Sequence, residues 1–395
     1  MSEIGGGGEL AFSSYALEMA RRGHKVHVIC HKSGNDNSPV KGRNLTIHRI
    51  SPRIDLAHGW FPTIAQQLIY VVNMIMRAKE IIVADRIDII HANTLSPALA
   101  GGVLNLLCNV PLIITFHHVG GVSSIQQIDT GIRECLERRC RLVYEKSILS
   151  FPISRIHAVS EATASQLRRI GSRGDIEVIP NGLDLIEVSK FNDCIGFEPF
   201  FLFIGRLVRS KNLGIVIDAF ADTLRPFPSA ELVIIGDGPM RHEWERRAKK
   251  LGVGSKVRFL GYVSEAKKYD LLRRCIALLF PSEIEGFGLT ILEAFAFGKP
   301  VLVSDIPAFK ELVDADVDGF IIPLSEPRNW SIKMAQILSD LTQTEIMGRR
   351  GKEKLVRQFR LEQAGSSLEL LYRVVIRGEP LPRLSDLRNS GASKA

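Results

Sequence analysis

Phe280-Pro281-Ser282-Glu283-Ile284-Glu285-Gly286-Phe287-Gly288-Leu289-Thr290-Ile291-Leu292-Glu293-Ala294 carries an apolar strand into a glycine loop and on into a helix. The helix is predicted to open at Gly288-Leu289, and the first amides of a helix lack intrahelical acceptors, so they favour an anion such as phosphate. Glu285 precedes two glycines on the loop, whereas Glu293 falls just over one turn inside the helix. A loop carboxylate can accept from sugar hydroxyls and a helix carboxylate from a ribose. Phosphate with two sets of hydroxyls is the chemistry of a nucleotide sugar.

Outward from this stretch, short apolar runs alternate with amphipathic ones, the signature of parallel sheets joined by crossover helices. Strands are predicted at 26–30, 45–50, 87–91, 112–116, 156–159 and 176–179, then at 200–204, 232–235, 257–260, 277–280, 301–304 and 320–322. The chain has 395 residues, more than one ordinary core holds. The expected fold is therefore α/β, with two Rossmann-like, doubly wound parallel-sheet domains. The join is expected where Pro180-Asn181-Gly182 makes a turn and 189–196 loses periodicity, giving domains at 1–190 and 191–355. Such sheets bind ligands beyond the carboxyl ends of their strands, so two facing sheets are expected to hold a ligand in a cleft.

The other candidate residues lie at predicted strand ends. After 200–204 come Gly205-Arg206-Leu207-Val208-Arg209-Ser210-Lys211-Asn212, in which Arg206 offers a planar fork and Lys211 a mobile point charge. Together they suit a pyrophosphate leaving group; taken alone they are ordinary surface cations. Gly236-Asp237-Gly238-Pro239 is good turn chemistry that can also wall a base. Thr115-Phe116-His117-His118 closes the strand 112–116 and makes His117 either a structural hydrogen bonder or a contact to the reacting sugar. His91 and Asn93 pose the same choice and rank below it. Gly5-Gly6-Gly7-Gly8-Glu9 precedes a helical stretch, where its amides can approach a phosphate closely or form a loose leader. Gly6-x-Gly8-x-x-Ala11 formally fits a dinucleotide fingerprint, but no strand precedes it and no ribose-binding acid follows 26–30, which argues against NAD.

Composition removes other classes. Lys+Arg 51 against Asp+Glu 43 gives +8, which suits nucleotide phosphates or an anionic lipid surface, or serves solubility alone. No zinc-finger spacing or basic-aromatic pattern points to nucleic acid. The cysteines, Cys30, Cys108, Cys135, Cys140, Cys194 and Cys275, form no Cys-x-x-Cys pair, so a reducing cytoplasm is the simpler setting. The most apolar stretch, 99–116, is broken by Asn105, Asn109 and Pro111 and reads as a helix running into a strand. Asp314-x-Asp316-x-Asp318-Gly319 starts like a calcium loop but has Ser325 at the twelfth position, so no metal site is expected. The residues after Gly378 read as a flexible tail.

In their order along the chain, Gly5–Glu9, His117, Pro180-Asn181-Gly182, Gly205-Arg206 with Lys211, Gly236-Asp237-Gly238-Pro239 and Glu285 with Glu293 resemble the family 4 glycosyltransferases, retaining enzymes of the GT-B fold. The likeness spans nearly the whole chain. It implies transfer of a hexose from a UDP- or GDP-linked donor to a glycan, lipid-linked or other hydroxyl acceptor, with no cofactor and no obligatory metal. It assigns catalysis to His117, Arg206, Lys211 and Glu285. Donor binding falls to Gly7, Gly8, Gly205, Gly236, Gly286, Phe287, Gly288, Leu289 and Glu293. Glu285 would hold donor-sugar hydroxyls, Glu293 the ribose, Arg206 and Lys211 the diphosphate, and His117 the sugar near its anomeric carbon. Residues 356–378 would return as a helix to the first domain.

Two departures stand out. The family opens with a full strand before the glycine loop, and only Met1–Ile4 stand there, so that first strand is expected to be missing. After Asp305 the chain reads Ile306-Pro307-Ala308-Phe309 where many members carry glycines. Rival readings are a nucleotide-sugar epimerase of the same fold and a non-catalytic nucleotide-sugar-binding protein. The acceptor is expected on the loops 52–63 and 119–130, where Trp60, Phe61 and Ile125 either touch a lipid carrier or pack. Peripheral contact with the inner face of the membrane is part of the same expectation.

Overall fold

The computed structural model describes residues 7–31, 40–50, 64–93, 96–120, 132–191 and 197–378. The chain divides into two compact units, Met1–Asn181 with Leu361–Ala395, and Gly182–Arg360. The division falls at the start of the stretch 181–198 in which the join is expected, ahead of the bound at 190, for a local reason. Leu183 donates its N–H to the carbonyl of Phe359 (2.8 Å), Asp184 caps the helix Leu185–Ser189, and the Phe191 ring lies 5.1 Å from that of Tyr269. Residues 182–191 are thereby stitched to the second unit.

The strands are β1 (Val26–His31), β2 (Val40–Gly42), β3 (Leu45–Ile50), β4 (Ile90–Asn93), β5 (Leu112–Phe116), β6 (Arg155–Ala158), β7 (Ile176–Val178), β8 (Phe200–Ile204), β9 (Glu231–Ile235), β10 (Val257–Gly261), β11 (Ala277–Phe280), β12 (Val301–Ser304) and β13 (Gly319–Ile322). The second unit holds one six-stranded sheet in the order β10-β9-β8-β11-β12-β13, parallel throughout. Helices cover both faces, so β8 and β11 are continuously apolar and β12 is apolar up to Ser304, with Phe201, Leu202, Leu278, Leu279 and Leu302 fully buried. Trp330, Phe203 and Phe220 pack in the same core, each burial contributing about 1.5–3 kcal/mol.

The described strands of the first unit form two sheets, β1-β3-β2 and the parallel β4-β5-β6-β7, and no described strand pairs β1 with β4. β2, which pairs antiparallel with β3, escaped the sequence reading because three residues carry no measurable period. β4 begins at Ile90, not at 87. The helix Leu361–Arg377 packs its Leu361, Leu368 and Leu371 with Tyr15 and Ile113. Arg22 pins it, donating to Glu369, to the carbonyl of Glu362 and to Ser366 at 3.1, 2.6 and 3.0 Å.

A chain of hydrogen bonds ties this helix to the strand ends, and its direction follows from one acceptor that can only accept. His157 Nε2 lies 2.8 Å from the carbonyl of Ile179 and must donate to it, so its Nδ1 accepts from the Thr115 hydroxyl (2.9 Å). Thr115 Oγ1 then accepts from His91 Nε2 (2.6 Å), and His91 Nδ1 accepts from the Tyr372 hydroxyl (2.5 Å). This arrangement has both of its imidazoles, His91 and His157, neutral. Burial agrees, holding His157 down to about 4 and His91 well below the usual histidine range.

Candidate active site

In the second unit the strand order reverses between β8 and β11: β9 and β10 lie beyond β8, β12 and β13 beyond β11. Ligands of open α/β sheets bind at such a switch point, outside the carboxyl ends. The two loops that leave these ends are 205–212 and 281–288, the two stretches singled out by sequence. They are laced together. Glu283 donates its N–H to the carbonyl of Ser210 (2.8 Å), and Asn212, itself at φ +50°, donates from Nδ2 to Glu283 (2.7 Å).

The lacing brings Lys211 and Glu285 into a direct ion pair, Nζ to Oε1, with both side chains largely buried. Lys211 Nζ also sits 4.8 Å above the Phe280 ring, and the Ser282 hydroxyl donates to the same Oε1 (3.3 Å). The guanidinium of Arg206 is exposed and pairs with no described residue. Its backbone is held from both sides, since Gly205 donates to the carbonyl of Ile235 (3.0 Å) and Leu207 to that of Asp237 (2.8 Å). That approach explains Gly236. At φ +122°, a Cβ there would fall 1.9 Å from the Gly205 carbonyl oxygen.

Gly288, at φ +116°, starts the helix Leu289–Ala296. The backbone of 286–289 borders the loop, but the Phe287 side chain turns inward and meets the Phe359 ring edge-on at 6.2 Å. Any contact from Phe287 to a ligand therefore belongs to its backbone. Glu293 is 4% exposed, and its Oε1 accepts from Lys268 Nζ at 2.6 Å. Lys268, on the helix Glu265–Arg274, was missed by sequence reading. Its separation of 25 residues from Glu293 follows no local pattern. In Ile306-Pro307-Ala308-Phe309 the Phe309 ring packs 5.1 Å from Phe280, so the departure from glycine is absorbed by the core.

In the first unit His117 follows β5, and Gly8, in the helix Gly7–Arg21, lies against it: a Cβ on Gly8 would come within 2.9 Å of His117 Cδ2. His117 Nε2 is buried without a hydrogen-bond partner among the described residues. Burial, and next the neighbouring His157, push this imidazole down to about 3, so it is neutral at physiological pH. His91 is committed to Thr115 and Tyr372. Gly5, Gly6, residues 52–63 and 121–130 and the tail 379–395 lie outside the described residues. Asp314 and Asp318 both pair with Lys354 Nζ, at 2.8 and 3.2 Å, which gives the acidic turn a cation of its own. No helix among the described residues is long and apolar enough to cross a membrane.

The chain is similar to known proteins over most of its length. Residues 5–187 match the family described as Glycosyltransferase Family 4, and residues 190–354 match Glycosyl transferases group 1. An uncharacterised glycosyltransferase of Methanocaldococcus jannaschii is 25% identical over 390 residues, covering 94% of this chain and 95% of its own. A D-inositol 3-phosphate glycosyltransferase of Segniliparus rotundus is 25% identical over 403 residues, covering 97% and 88%. Among solved structures, sucrose-phosphate synthase of Thermosynechococcus elongatus superposes with a TM-score of 0.80 at 22% identity, over 95% of this chain and 94% of its own. HepE of Anabaena, in complex with UDP and glucose, gives 0.70 at 20% identity over 93% and 96%.

Proposed function

Because the chain belongs to glycosyltransferase family 4 and has the GT-B fold, we propose that it moves a hexose, with retained configuration, from a nucleotide-diphosphate sugar to a hydroxyl acceptor. The observation that carries this reading is the Lys211–Glu285 ion pair at the switch point of the sheet, its lysine on a loop shared with Arg206, which pairs with no described residue. In this structure the cation and the carboxylate neutralise each other. A diphosphate between Arg206 and Lys211 competes for Lys211 and releases Glu285 to accept from sugar hydroxyls. Glu293 is assigned to the ribose. In the first unit, the orphaned Nε2 of His117 is assigned to a hydroxyl of the reacting sugar.

Transfer breaks the bond between the anomeric carbon and the diphosphate oxygen, which leaves with the electron pair. Arg206 and Lys211 balance that charge, an electrostatic role of the kind worth about 3 kcal/mol per donor in other enzymes. The acceptor oxygen bonds to the anomeric carbon on the face that the diphosphate vacates, and its proton passes to the departing phosphate oxygen. No step in this scheme calls on a metal. The acceptor class is a glycan or lipid-linked hydroxyl, and the free Cys30, Cys108, Cys140 and Cys275 support a cytoplasmic setting.

The test is incubation with radiolabelled UDP- and GDP-sugars and a panel of hydroxyl acceptors; the HepE complex with UDP and glucose puts the UDP series first. Labelled product and slow donor hydrolysis are expected. Conversion of the donor to its epimer without acceptor, or nucleotide binding without any turnover, would overturn the proposal.

A further inference from the structure

Glu293 is a carboxylate at 4% exposure, and a buried charge needs a partner. Its partner is Lys268, whose side chain is itself 16% exposed. The ammonium has three N–H groups. One donates to Glu293 Oε1 at 2.6 Å, and the Tyr269 ring lies 4.6 Å from Nζ. Glu265 Oε1 stands 3.9 Å away, too far for a hydrogen bond. Burial first, and then the charge on Glu293, push the Tyr269 phenol up, so the ring stays neutral beside the pair. Glu293 thus keeps Oε2 as an acceptor, and Lys268 keeps a donor next to it.

We propose that Lys268 and Glu293 act as one donor–acceptor clamp for the vicinal hydroxyls of the nucleoside ribose, which makes Lys268 a specificity-determining residue. The inference rests on the assignment of Glu293 to the ribose above. Two adjacent hydroxyls present one proton to give and one oxygen to receive it, and the pair presents the complement: Oε2 accepts from one hydroxyl while Nζ donates to the next. The ion pair also fixes the carboxylate rotamer before the nucleotide arrives, so little ordering is left to do on binding.

The experiment measures binding of UDP, 2′-deoxy-UDP and 3′-deoxy-UDP by calorimetry, with the GDP series alongside, to the full chain and to Lys268→Met, Lys268→Arg and Glu293→Gln. The full chain is expected to prefer the ribonucleotide by about tenfold or more over at least one deoxy analogue, as for a hydrogen bond to a charged group. Lys268→Met should shrink that ratio to near unity, and Lys268→Arg, which keeps charge and donors, should retain most of it. Circular dichroism checks the fold, and the arginine variant carries the test if methionine disturbs it: a ratio lost in Lys268→Arg with the fold intact counts against the clamp. A ratio that collapses in Glu293→Gln but survives in Lys268→Met overturns the role of Lys268 and leaves the ribose assignment standing. A ratio untouched by Glu293→Gln overturns the ribose assignment itself.

Discussion

Gly236→Ala puts the geometry of the switch point to a quantitative test. The new Cβ would stand 1.9 Å from the Gly205 carbonyl oxygen and 2.9 Å from its carbon. Restoring ordinary van der Waals contact requires the Gly205 carbonyl to retreat by about 1.5 Å. The hydrogen bonds from Gly205 to Ile235 (3.0 Å) and from Leu207 to Asp237 (2.8 Å) oppose that movement. Overpacking of this kind costs about 1–3 kcal/mol. Holding alanine at φ +122° adds about 1–2 kcal/mol. The sum, about 2–5 kcal/mol, is a large part of the stability of one domain. The displaced loop carries Arg206, and a misplacement of about 1 Å is worth roughly 100-fold in turnover.

Gly252→Ala is the matched control, since Gly252 also has positive φ (+73°) but nothing lies within 4 Å of its added Cβ. It should cost about 1 kcal/mol and leave turnover unchanged. Trp244 and Trp330, both buried in the second unit, report its urea unfolding by fluorescence, and sugar transfer reports the site. If Gly236→Ala were no less stable than Gly252→Ala and turned over at the wild-type rate, the close approach of the two loops would not exist.

Other consequences are equally direct. Lys211→Met and Glu285→Gln should each lower transfer by about 100-fold or more; wild-type specific activity in either variant, with the fold intact, would contradict this. His117 and His157 are held down to about 3 and about 4, below the ordinary value of about 6.5, so the unfolded chain binds protons that the folded one refuses. Their contribution is present in full above about pH 6.5 and falls by about 1.4 kcal/mol per pH unit for each histidine as the pH drops toward 4. Urea titrations at stepped pH measure the slope, and His157→Asn should flatten it; a first unit equally stable at pH 4.5 and 7 would refute the neutral hydrogen-bond chain. Lys354→Met strips the cation from Asp318, which is 1% exposed, and should destabilise the second unit by about 3 kcal/mol, with Asp318→Asn in the same chain restoring part of the loss.

The candidate site was legible in sequence wherever chemistry is local. Glu285, Gly288 and Glu293 share one strand–loop–helix unit, and Arg206 and Lys211 share another, so charge, glycine and periodicity announced both. Contacts between residues far apart in the chain left no such mark. The pairing of Lys211 with Glu285, of Asn212 with Glu283 and of Lys268 with Glu293 depends on which strands lie side by side. Phe287 illustrates the opposite limit: adjacent to two glycines it read as part of the loop, yet its ring belongs to the core beside Phe359.

The sequence by itself determined the class of fold, because buried parallel strands must be continuously apolar and their crossover helices amphipathic, and both patterns are periodic over a few residues. It also determined that cations, carboxylates and glycine loops stand at strand ends. Only the tertiary structure decided that β8 and β11 are neighbours and therefore which loops share a switch point. It alone decided that Gly236 answers to Gly205, that Gly8 answers to His117, and that Glu293 is answered by Lys268. Periodicity encodes which way a side chain faces; strand order encodes what it meets there, and strand order is a property of the whole sheet.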